Sequence, residues 1–257
     1  MGIGLQQDRG VAAQRTLAIA VAAMAGLYTV GAHLLLTRVR WADQATLLRV
    51  WMGLCAHVPG SLLPADLAPQ VRPLIFRWVW ALLHVCVYVP LPLWAARACT
   101  RPPADVGLGV AHSRRCVALL ITCMALWLPV LLIFSRTAGF AAAYPMFWPP
   151  ARVHAAPLAW LGALFALALH LLSVELFFRR ALPALLTPAL GRAAGWCALL
   201  PYVATHRYAP ELIASLPFGI LLWQLRARCG SVWPGYALHL CVAVSLEVCA
   251  LWRHGLW

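Results

Sequence analysis

Glu175 and Arg179 lie four residues apart in VELFFR (174–179), inside a long apolar stretch. Residues i and i+4 share a helix face, so this acid and this base can meet. Two histidines follow in equally apolar surroundings. His206 closes YVATH (202–206), and His239 closes WPGYALH (233–239). A carboxylate and a neutral imidazole together can hold a water, take its proton and pass it on. They can also ligate a metal. Ionisable groups in hydrocarbon are costly unless paired or hydrated, so those that occur there mark candidate sites. The plain alternative is a Glu175–Arg179 pair that only fastens two helices, with each histidine a satisfied core residue.

The acids are unevenly distributed. Asp8, Asp43, Asp66 and Asp105 fall in expected tails and loops of the first half. Glu175, Glu211 and Glu247 are the only glutamates, and they fall in or beside apolar segments of the second half. On a final helix His239, Ala243 and Glu247 advance by about 40° each and share a face. That face points His239 and Glu247 into one groove. Glu211, just after Pro210, also suits an exposed helix start.

These residues need a scaffold, and the composition says which kind. Of the 257 residues, 63% are hydrophobic and 11% are charged, far from the balance of a soluble domain. Long apolar runs recur throughout, which predicts an all-α, polytopic membrane helix bundle. Candidate spans are about 15–36, 73–96, 116–135, 157–178, 193–206, 210–226 and 231–252, giving about seven (six to eight) spans that need about 20 residues each. The runs 193–206 and 210–226 are short, which suits segments lining a protein-enclosed cavity. An interfacial amphipathic helix is expected near 44–57, and residues 137–156 read as interfacial or re-entrant. The run 15–36 is long for a signal sequence and is expected to be a retained span. Residues 1–157 form the N-terminal spans, and residues 158–252 the site-bearing helices, within one membrane domain.

All 20 basic residues are Arg, and the net charge is +13. They are spread over loops and helix ends, where they favour anionic headgroups and set topology. The loop 97–115 and the amino terminus are expected on the cytoplasmic side. No basic patch with aromatic partners on a soluble face is present, so no nucleic-acid partner is expected. The nine cysteines contain no CxxC and lie mostly in apolar runs; they read as small buried hydrophobes.

Three short motifs in order, VELFFR, YVATH and HLCVA (239–243), resemble those of the CPBP family of intramembrane proteases. That family comprises type II CAAX prenyl endopeptidases and relatives linked to bacteriocin processing and self-immunity. Its pattern is EExxxR, then FxxxH, then HxxxN. The stretch FGILLWQLRARCGSVWPGYALH (218–239) is similar to the family segment that leads to the last histidine. The resemblance covers about residues 158–252. It implies a Glu/His-activated water that hydrolyses a peptide bond in a membrane-anchored or lipid-tethered substrate. It implies Glu175, Arg179, His206 and His239 as catalytic, and an integral, multi-pass protein of the bacterial inner membrane.

The chain also departs from that pattern. Val174 stands where the family has its first glutamate, the residue usually assigned as base, and Ala243 stands where it has the final Asn. Arg180 replaces a Gly and Tyr202 a Phe. Two expectations follow. A single-Glu branch would use Glu175, with Glu211 and Glu247 as auxiliary acids. An inactive relative would keep the fold as a membrane immunity or binding partner. No cofactor is expected. Zinc, if bound, would take His206, His239 and one glutamate, although Arg179 beside Glu175 opposes a further cation. A proton-coupled transporter would use the same groups as a relay, but the paired repeats common in transporters are not visible.

Overall fold

The computed structural model describes residues 68–90, 92–94, 114–145, 157–206 and 209–256. The expected span 15–36, the interfacial helix near 44–57 and most of the loop 97–115 lie outside them. Every element among the described residues is helical. In chain order these are α1 (Ala68–Tyr88), α2 (Arg114–Ser135), α3 (Ala138–Ala143), α4 (Pro157–Leu176), α5 (Leu182–Leu190), α6 (Ala194–Ala204), α7 (Ala209–Cys229) and α8 (Trp233–Arg253). A π-turn, Phe177–Ala181, joins α4 to α5, and a 3-10 turn, Gly191–Ala193, joins α5 to α6.

Three helical segments are long and apolar enough to cross a membrane: α2, the run Pro157–Ala204, and α8. Their outward faces agree. Ile121, Leu126, Ile133, Phe165 and Leu200 are all exposed. Apolar surface on that scale suits lipid or a partner rather than water.

The run Pro157–Ala204 differs from the expected pair of spans at 157–178 and 193–206. The residues between them are helical, not loop. Pro183 is the reason. It lacks an N–H, and its ring would strike the carbonyl of Arg179 in a regular helix. The π-turn Phe177–Ala181 relieves this without ending the helix. Reversal waits until Gly191, which takes φ 52 and donates its N–H to the Thr187 carbonyl. A side chain would oppose that left-handed backbone. α6 then packs back along α5. The expected span 210–226 is likewise longer than predicted. α7 has 21 residues, about 31 Å of helix at the standard rise.

α8 is central, touching α2, α4 and α7, while α1 lies along α4. The main core joins Val174, Phe177 and Phe178 to Tyr202, Phe218 and Leu238. α6 and α7 approach closely because Gly219 has no side chain. A Cβ there would sit 2.4 Å from Leu199 Cδ1 and 2.9 Å from the Tyr202 ring.

Candidate functional site

The π-turn governs which charges are buried. Phe177, Phe178, Arg179, Arg180 and Ala181 are all buried in succession. A regular amphipathic helix would turn some of them outward. Arg179 and Arg180 are thereby drawn inward, Arg179 beside Glu175 of α4.

Glu175 has no exposed surface. Its Oε1 accepts a 2.8 Å hydrogen bond from His239 Nδ1, across 64 residues of sequence. Its Oε2 faces Arg179 Nε at 3.7 Å, an ion pair longer than a hydrogen bond. A carboxylate oxygen only accepts, so Nδ1 carries a proton, and in a neutral ring Nε2 is then the nitrogen with the lone pair. His239 is 9% exposed. Of this dyad, the imidazole is thus the member that reaches the surroundings.

Tyr202 organises the rest. The Arg179 guanidinium lies 4.2 Å over its ring centroid, a cation–π contact. The ring also meets His206 at 5.0 Å and His239 at 6.3 Å. Phe218 of α7 closes the other side of His239 at 5.3 Å. Glu175 Oε2, Arg179 Nε and Nη2, and the Tyr202 hydroxyl are buried and have no hydrogen-bond partner among the described residues. Buried polar atoms ordinarily have a partner, and here Glu175 Oε2 and Arg179 Nε face one another as an ion pair.

The expected site residues divide as follows. Glu175, Arg179 and His239 converge. His206 stands one ring away, with its Nδ1 3.1 Å from the Tyr202 carbonyl oxygen. Glu247 is buried, but two turns beyond His239, roughly 12 Å along α8 at the standard rise. Neighbouring Leu246, Cys249 and Ala250 pack toward Phe140 and Tyr144. Glu211 falls in the first turn of α7, and its side chain lies outside the described residues. Val174 is buried in the main core, and Ala243 packs with Leu167, Leu171 and Tyr236. Both positions are apolar in their surroundings as well as in type.

Tyr202 is the residue that sequence reasoning missed as a working part. Its one signal was a phenol where the family pattern has Phe. Among the described residues, no three His, Cys, Asp or Glu side chains gather as a metal ligand set. Glu175 already gives one oxygen to His239 and the other to Arg179.

No protein-family model, curated protein or solved structure matches the chain. What supports a function is therefore the motif order and this geometry.

Proposed function

We propose that this protein is a CPBP-like intramembrane endopeptidase, a divergent single-Glu member, embedded as a multi-pass bundle of about seven spans in a bacterial inner membrane. The observation that carries the proposal is the 2.8 Å bond from His239 to the fully buried Glu175. Glu175 holds the imidazole in one tautomer, and His239 Nε2 takes a proton from water. This is the logic of a carboxylate orienting a histidine base. The resulting hydroxide attacks the scissile carbonyl of a membrane-anchored or lipid-tethered segment. The Tyr202 hydroxyl and the Arg179 guanidinium are donors for the oxyanion that forms. They take the part that an Asn at position 243 would otherwise play. Protonated His239 then returns its proton to the leaving amine. His206 supports the Tyr202 ring through an edge contact. Substrate approaches from the arginine-bearing end formed by Arg114, Arg115, Arg226 and Arg228. His239 lies six residues into α8, about 9 Å from that end. An excess of Arg marks the end as cytoplasmic.

Glu175→Gln keeps the shape but weakens the hold on imidazole. In proteoliposomes carrying a membrane-anchored peptide library, it is expected to cut turnover by about 10²-fold or more. Wild-type turnover in Glu175→Gln would sink the mechanism. The second reading, a membrane immunity or binding partner without chemistry, is favoured by Val174 and Ala243, whose surroundings are apolar. It expects no wild-type cleavage and a phenotype indifferent to Glu175→Gln.

A further inference from the structure

Two cysteines outside the Glu175 cluster are brought together by helix register. Trp127 of α2 meets Phe218 of α7 in a tilted ring contact, with ring centroids 4.9 Å apart. Stepping back from Trp127 to Cys116 and forward from Phe218 to Cys229 covers the same number of residues on each helix. Each step is almost a whole number of turns, so both cysteines keep the faces that carry the aromatic contact. Because α2 and α7 run antiparallel, both also reach the same level. The side chains agree: the Cys116 and Cys229 thiols lie near enough to interact. Neither is in a disulfide; Cys116 is buried and Cys229 partly exposed.

From this pairing we infer that Cys116 and Cys229 form a reversible disulfide site that clamps the first turn of α2 to the last turn of α7. The inference is independent of the hydrolytic proposal. The oxidant class is a small organic disulfide. The more accessible Cys229 thiolate attacks one of its sulfurs, forming a mixed disulfide and expelling one thiol. Cys116 then attacks the Cys229 sulfur, closing the intramolecular bond and expelling a second thiol. The two protein thiols lose two protons and two electrons, and the oxidant becomes two thiols. Closure fixes the Gly230–Val232 corner, which leads directly into α8 and its His239.

The test uses the full chain in detergent, treated with a dipyridyl disulfide and mapped by mass spectrometry. Trypsin cuts after Arg115 and Arg228, so Cys116 and Cys229 become amino-terminal residues of their peptides. Fragment ions then separate them from Cys123, Cys241 and Cys249. The expected result is a Cys116–Cys229 link with no pyridyl group retained on either, reversed by a dithiol reductant. Cys229→Ser is expected to abolish the link. Pyridyl adducts persisting on both cysteines, a link from Cys229 to Cys123, or two untouched thiols would each overturn the inference. Because the wild-type map carries the decision, poor folding of the Ser variant does not blunt it.

Discussion

α4 carries polar groups toward two neighbours, and the two seams are chemically unlike. Toward α8, Glu175 bonds His239 and faces Arg179. Toward α1, His170 joins Trp80 and His84, with ring centroids at 4.0 and 4.4 Å. His84 Nδ1 bonds the Trp80 carbonyl of its own helix. Both seams bury imidazoles, and in the α8 seam the imidazole is held by an acid from another helix. An imidazole among rings is packing. An imidazole held by a carboxylate has a fixed tautomer and a directed lone pair. Histidine in an apolar segment is thus uninformative until its partner is known.

The sharpest way to break this comparison is to remove the acid. Glu175→Ala strands the buried Arg179 charge and is expected to cost about 3–5 kcal/mol. Denaturant or thermal unfolding in detergent measures it. Glu175→Leu combined with Arg179→Leu is expected to recover much of that loss, because no isolated charge remains. If the double variant is as unstable as the sum of the singles, the two charges are not a coupled pair.

Next in size is the packing that holds Tyr202 against Arg179 and His239. Gly219→Ala places a methyl against Leu199 and the Tyr202 ring. Overpacking of this kind costs roughly 1–3 kcal/mol. The α8 seam should loosen, while the α1 seam, which is built from α1 against α4, should keep its hydrogen-exchange protection. Equal loss in both would mean the two seams are one cooperative unit.

Tyr202→Phe separates chemistry from stability. Its hydroxyl lacks a partner among the described residues, so its removal should change stability by no more than about 1 kcal/mol. If the hydroxyl meets a developing oxyanion, turnover should still fall by about 10²-fold. Unchanged turnover would confine Tyr202 to supporting Arg179 and the histidines.

Much of the α8 seam was legible beforehand, and the reasons are local. Glu175 and Arg179 meet because helix periodicity brings i and i+4 together. His239 was singled out by motif order. The part played by Tyr202 was not legible, because it depends on a π-turn that swings Arg179 over a ring on α6. That turn was hidden too: Pro183 reads as a helix end, whereas the backbone absorbs it and continues to Gly191. Glu247 shares a helix face with His239, two turns further along the axis, as helix periodicity has it. The α1 seam passed unnoticed because His84 and His170 belong to none of the three motifs.

The smallest effect is expected where the comparison predicts packing alone. His84→Phe retains a ring against Trp80, Tyr88 and His170. It deletes the bond from Nδ1 to the Trp80 carbonyl, but that oxygen still accepts the regular helical bond from the residue 84 amide. The net loss of one such hydrogen bond is about 1 kcal/mol or less, and the larger apolar ring offsets part of it. Unfolding midpoints and turnover should both stay near wild type. A strong loss of turnover with unchanged stability would give the α1 seam a chemical role, and the contrast between an imidazole among rings and one held by an acid would no longer separate the two sides of α4.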